Sequence, residues 1–148
     1  MKVIARNKKA SFNYFLEDRY EAGIVLQGTE IKSIRAGRVS IQDAYIRIRR
    51  NEAFILNMHI GKYKEGNRFN HDETRERKIL LHKREIIKLF NKVQQDRIQL
   101  IPTQVYLKEG LCKIEFAEAK GKKLHDKRHT LKAKDEERHM KKIVKERY

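Results

Sequence analysis

Residues Gln104–Ala117 read QVYLKEGLCKIEFA. Two β-prone runs, Gln104–Lys108 and Leu111–Ala117, flank Glu109-Gly110. A glycine in so short a connection supplies the positive φ that a tight hairpin needs. In the second run Cys112, Ile114 and Phe116 fall on one face of an extended chain, and Lys113 and Glu115 on the other. The stretch therefore predicts an antiparallel hairpin with one apolar and one polar face. The thiol of Cys112 sits among core positions, so it is read as buried.

Further runs of the same kind surround it. In Asp43–Arg49, Ala44, Ile46 and Ile48 alternate with Tyr45, Arg47 and Arg49. Ala53–Ile60 is apolar and aromatic, and Arg77–Leu81 leads another apolar run. Tyr14–Leu26, interrupted at Gly23, reads as two short strands or one bent one. Two segments carry helical signals. Gly28-Thr29 caps a short helix through Ala36, with Gly37 just past its end. His82–Gln95 places Ile86, Leu89, Phe90 and Val93 on one apolar stripe. Five or more short strands with two to three helices fit a mainly β fold, a small antiparallel barrel of the oligonucleotide-binding type. An open α+β sheet is the competing architecture.

Composition divides the chain. Its 148 residues suit one domain with an appendage. Residues 1–119 mix apolar alternation with charge. Residues 120–148 contain no Phe and hold 12 Lys/Arg against 5 Asp/Glu, while residues 1–119 hold 24 against 15. Both parts are basic, and the formal net charge is +16. A surface tuned only for solubility carries about 2–8 charges in magnitude. The excess points to a polyanionic partner, nucleic acid before a membrane surface. The 120–148 segment has a weak helical pattern at Glu136, Met140, Ile143 and Val144. It lacks the apolar surface to offset its ordering entropy, so it is expected to be disordered when free and helical with a partner. A single cysteine excludes an internal disulfide and favours a reducing compartment. There is no apolar run of membrane-spanning length and no signal-peptide core at the start, so the expected location is the cytoplasm, with no membrane role.

Candidate chemistry is sparse for an enzyme. No Gly-rich phosphate loop or nucleophile pair is present. His71-Asp72-Glu73 and the His125/His129 spacing both fall short of a metal ligand set, so no metal and no cofactor is expected. RNA-binding features are richer. Tyr45, Arg47 and Arg49 share a strand face that can stack bases and contact phosphates, or serve as an ordinary solvated face. Asn7-Lys8-Lys9, Lys32/Arg35/Arg38 and Arg75/Arg77/Lys78 form three basic clusters that can position an RNA without reading its sequence. In the C-terminal segment, Gly121 between Lys120, Lys122 and Lys123 permits close approach to a backbone. His125 is a ring that can stack. Asp126 can accept from a base or orient Arg128, and Lys127 and Arg128 can neutralise phosphates.

The order of these segments resembles the small protein B family, the SsrA-binding proteins of bacterial trans-translation. The resemblance rests on Asn7-Lys8-Lys9-Ala10, on EAGIVLQGTEIKSIRAGRVSIQDAY at Glu21–Tyr45, on NHDETRERKILLHKREI at Asn70–Ile86 and on AKGKKLHDKR at Ala119–Arg128. It implies an oligonucleotide-binding barrel that holds the transfer-RNA-like domain of transfer-messenger RNA (tmRNA, or SsrA RNA). It also implies a tail that enters the decoding site and empty mRNA channel of a stalled ribosome. The family's RNA-binding positions fall on Asn7, Glu21, Leu80 and Lys113. Its tail motif falls on Gly121, Lys122, Lys123, Asp126, Lys127 and Arg128, with His125 at a stacking position. The chain departs from the family at Glu73, where a Pro is usual, and at Arg97 and Gln99, where a Gly and a Thr are usual. The latter change removes a turn glycine after the long helix.

The expected function is a non-enzymatic, monomeric RNA adaptor for ribosome rescue, with Lys8 and Arg35 added to the tmRNA face. Elongation factor Tu and alanyl-tRNA synthetase are possible partners through the RNA. A structural ribosomal protein is the alternative. A ribonuclease using His125, Asp126 and His129 ranks below both, since acid–base catalysis needs a rigid, positioned pair.

Overall fold

The computed structural model of the chain describes residues 1–63 and 70–122. Along these, the chain forms β1 (Lys2–Arg6), α1 (Ala10–Asn13), β2 (Tyr14–Ile24), α2 (Gly28–Arg35), β3 (Val39–Ser40), β4 (Tyr45–Arg49), β5 (Glu52–Leu56), β6 (His59–Ile60), β7 (Arg77–Leu80), α3 (Lys83–Asp96), β8 (Gln99–Lys108) and β9 (Leu111–Gly121).

Hairpin β8–β9 forms as the sequence predicts. Lys108 pairs with Leu111, and both turn residues, Glu109 and Gly110, have positive φ. That is the primed geometry whose twist matches its strands. The same device, at Arg50 and Asn51, joins β4 to β5. The main sheet runs β1-β8-β4-β5-β7-β2-β9, and β9 pairs again with β8. The sheet therefore closes into a barrel, with β1 added beside the far half of β8, and the open-sheet alternative is set aside. Every pairing is antiparallel. Inward positions of successive strands supply the core: Ile46, Ala53, Ile55, Ile79, Leu100, Val105, Ile114 and Phe116. Each strand of the ring has a partner on both sides, through a single residue pair at the β4–β8 seam, Ile46 with Leu100, and two at the β2–β7 seam.

The sequence reading needs refinement in five places. Tyr14–Ile24 is one strand, and its register shifts between Leu16 and Arg19 rather than at Gly23. The run expected over Ala53–Ile60 is split, because Asn57 takes a positive φ and sends β6 into a separate ribbon with β3. Helix α2 is capped one residue earlier, by Gln27. Its backbone N–H donates to Glu30 Oε1 (2.8 Å), and its carbonyl accepts from the Glu30 N–H (3.1 Å). On α3, Ile86 and Leu89 are buried and Val93 is half-buried, but Phe90 is 43% exposed, one step round the helix from the stripe. Strand β9 continues through Lys120, opposite Phe15, and Gly121, opposite Tyr14. It thus runs two residues past the expected domain boundary.

Candidate nucleic-acid interface

Three strands meet at Gly23 of β2, which pairs with Leu80 of β7 on one side and Lys113 of β9 on the other. Their outward positions form the floor of a groove of about 760 Å³, with Glu21, Leu80 and Lys113 in its lining. Lys78, His82 and Lys83 extend it toward the start of α3. The period-two alternation of β7 explains Leu80. Arg77 and Ile79 point inward, so Lys78 and Leu80 point outward. Leu80 is 56% exposed, an apolar surface among cations. Such a groove offers phosphate contacts from lysines and a flat apolar contact for a sugar or base.

Glu21 is one of three carboxylates in the lining, with Glu52 and Glu85. The Tyr106 hydroxyl donates to Glu21 Oε2, and Lys108 Nζ lies 3.7 Å from the same oxygen. The Tyr106 hydrogen bond, helped by the charges of Lys108 and Lys113, holds the Glu21 carboxyl below the usual carboxylate range.

The structure places the other expected residues elsewhere. Asn7 is buried. Its Nδ2 donates to the carbonyls of Ile41 (3.2 Å) and Pro102 (3.0 Å), and its Oδ1 accepts from the Ala10 N–H (3.2 Å). It lashes the turn between β1 and α1 to the barrel and leaves Lys8 and Lys9 exposed beside it. Lys32, Arg35 and Arg38 are exposed on and just after α2, with Lys32 Nζ 5.3 Å from the Tyr63 ring centroid. Tyr45, Arg47 and Arg49 do share an outer strand face. Arg49 is already engaged, however, by Glu76 at 3.2 Å and by the Phe54 ring.

The Arg75/Arg77/Lys78 cluster does not hold as a surface patch. Arg77 is 0% exposed. Its Nε donates to Glu30 Oε2, its Nη1 to Met58 O (2.7 Å), and its Nη2 to Asp72 O (3.3 Å) and Glu73 O (3.1 Å). Arg75 Nη2 donates to the other Glu30 oxygen at 2.6 Å. Burial raises the cost of ionising Glu30, but bonds from Arg75, the Gln27 N–H and Arg77 outweigh it and hold the carboxyl low. His71, considered for a metal patch, is also structural. Its Nδ1 is hydrogen-bonded to Thr29 Oγ1 (2.9 Å), and its Nε2 donates to Ile60 O (2.9 Å). Among the described residues no group of three or more His, Cys, Asp or Glu is placed to hold a metal, and no helix is long and apolar enough to cross a membrane.

The start of the C-terminal segment is fastened. Lys122 donates from its backbone to Asn13 O (2.9 Å) and from Nζ to Ser11 O (2.9 Å), and Nζ stands 5.0 Å from the Phe15 ring centroid. Lys120 pairs with Glu17 at 3.3 Å. Lys123, His125, Asp126, Lys127, Arg128 and His129 lie outside the described residues. Residue-type reasoning alone missed Tyr106, Lys108 and Phe15. The signal for Tyr106 was its register, since it pairs with Lys113 across the hairpin.

Comparison with known proteins places this geometry. The model of the SmpB protein family matches residues 4–146. The SsrA-binding protein of Bacillus cereus (strain G9842) is 54% identical over 146 residues, covering 99% of this chain and 94% of that protein. The SsrA-binding protein of Halothermothrix orenii is 53% identical over 147 residues, covering 99% and 95%. Among solved structures, a chain from "tmRNA-SmpB: a journey to the center of the bacterial ribosome" superposes with a TM-score of 0.69 at 39% identity. It covers 84% of this chain and 87% of its own.

Proposed function

The chain belongs to the SmpB protein family, and from that premise we propose that it is a non-enzymatic, cytoplasmic RNA-binding adaptor of trans-translation. It binds the transfer-RNA-like domain of tmRNA and delivers that RNA to stalled ribosomes. The observation that carries this reading is an end-to-end likeness to SsrA-binding proteins at about half identity. The groove brings Glu21, Leu80 and Lys113 side by side in support of it. Lys8 and Arg35 are exposed and available to phosphates, whereas Asn7 contributes by fixing the turn that carries Lys8.

The second half of the function belongs to the C-terminal segment, from Gly121 onward. Gly121, Lys122, Lys123, His125, Asp126, Lys127 and Arg128 are the residues we assign to the decoding site and the vacated mRNA channel. tmRNA supplies no anticodon arm, so a basic protein arm takes that place, and an intact message competes by occupying the same space. Ordering such a segment costs free energy that only a phosphate-lined channel offsets. Elongation factor Tu and alanyl-tRNA synthetase meet the protein through the RNA.

Two measurements test this. The protein is pulled from cell extract and its bound RNA sequenced. One dominant tmRNA species is expected, whereas bulk ribosomal RNA alone points to a structural ribosomal protein. A chain truncated after Lys122 keeps every described contact of the barrel. It should bind tmRNA like the full chain and fail to tag stalled nascent peptides. Normal tagging by the truncated chain refutes the assignment of the arm.

A further inference from the structure

Tyr106 stands on β8, one strand away from the groove floor. It pairs with Lys113 of β9, and its hydroxyl crosses β9 to reach Glu21 on β2. It is only 3% exposed and is not part of the groove lining. Its hydroxyl and the Lys108 ammonium both address Glu21 Oε2. No hydrogen bond among the described residues engages Oε1.

A carboxylate on a protein face meant for RNA is a liability if it merely repels phosphate. It is useful as a fixed acceptor for a donor on the nucleotide, a base imino or amino group or a ribose 2′-hydroxyl. A long surface carboxylate otherwise samples several rotamers, and freezing it on binding costs affinity. Tyr106 removes that cost in advance. We propose that Tyr106 is a positioning residue of the RNA interface, holding Glu21 as an ionised, pre-oriented acceptor beside Leu80 and Lys113. The inference rests on the functional reading above and deepens it.

The electrostatics agree. Burial and then the Glu21 hydrogen bond raise the Tyr106 hydroxyl above the usual tyrosine range, so it remains a donor throughout the physiological span. The charged groups around Glu21 are Lys108 from β8 and Lys113 and Glu115 from β9. Glu115 is itself engaged by Arg19 at 2.8 Å and Gln104 at 2.5 Å, so it does not compete for the Tyr106 proton.

The test uses the full chain. Tyr106→Phe keeps the ring and deletes the donor. Affinity for tmRNA, the Glu21 titration midpoint by side-chain carboxyl NMR and thermal stability are measured on this variant, on Glu21→Gln and on the double variant. Tyr106→Phe should weaken binding by up to about tenfold, the cost of immobilising one rotamer-rich side chain on binding. It should move the Glu21 midpoint up toward 4.5, and it should add nothing in the Glu21→Gln background. A purely structural tyrosine would lower stability and leave the affinity for tmRNA at the wild-type value. Wild-type affinity in Tyr106→Phe, or full additivity with Glu21→Gln, overturns the proposal. Should Tyr106→Phe fold poorly, Glu21→Asp retracts the carboxylate from Tyr106 while keeping its charge, and must show the same loss. If the wild-type chain itself shows no preference for tmRNA over transfer RNA, the functional reading fails. If it does and Tyr106→Phe matches it, only the positioning role fails.

Discussion

Replacing Arg77 by Met should destabilise the barrel more than any exposed basic substitution. The guanidinium is wholly buried and serves four acceptors at once: Glu30 and the carbonyls of Met58, Asp72 and Glu73. Met fills much of the volume but donates to none of them. Breaking a buried ion pair from one side costs about 3–5 kcal/mol, mostly because the other charge stays buried. Arg75 still reaches both Glu30 oxygens and is only partly exposed, which argues for the lower end, about 3 kcal/mol. Set against the roughly 5–15 kcal/mol of total stability typical of such domains, that is a large share. Urea denaturation at neutral pH reads it as a lowered midpoint with an unchanged slope.

Acid adds a second signature of the Arg77 pair. The folded-state pKa of Glu30 lies below its ordinary 4.5. Its contribution is therefore present above 4.5 and is lost as pH falls through the depressed folded value. The gap between wild type and Arg77→Met should consequently narrow in that acid range. A cost under about 1 kcal/mol at neutral pH, or a gap that widens in acid, would refute the reasoning.

Two further outcomes are expected. Arg97 ends α3 in the left-handed region, at φ 53 and ψ 36, a conformation that favours glycine. Arg97→Gly should stabilise the chain by about 0.5–1 kcal/mol, read as a raised denaturation midpoint, because glycine adopts that conformation without strain. Cys112 is half-buried, and burial pushes its thiol up to about 11. Alkylation by iodoacetamide near pH 8 should run roughly a hundredfold slower in the folded chain than in urea, since only the thiolate reacts.

Hairpin β8–β9, the alternation of β4 and both longer helices were legible because each is a local pattern of period two or 3.6. What the sequence hid was the identity of partners. Arg75, Arg77 and Lys78 look alike in a charge count, yet one is the largest fully buried side chain among the described residues and another faces solvent. Alternation contained the answer, since Ile79 facing inward requires Arg77 to face inward too. It did not contain the reason a cation is tolerated there. That reason is Glu30, a capping residue of α2 brought across from 47 positions earlier. Asn7 shows the same limit. Its type suggested an RNA contact, and its environment shows a side chain already committed to backbone groups. The groove residues Glu21, Leu80 and Lys113 came from family likeness alone, because their adjacency exists only once β2, β7 and β9 share a register.

That register also connects the two halves of the proposed function. Strand β9 carries Lys113 into the groove near one end and Lys120 to the Phe15 side of β2 near the other. Between them, Glu118 is buried and bonded to Lys92 of α3 at 2.9 Å and to the Tyr20 hydroxyl. Because side chains alternate strictly, a slip of one residue in β9 would turn Lys113 inward and unseat Glu118 together. The pairing of β9 with both β2 and β8 resists such a slip along nearly its whole length. The segment after Lys122 therefore departs from a point fixed relative to the groove. An adaptor that must hold one RNA while presenting an arm to another requires that constraint, and a tail joined to the barrel by a free linker would lack it.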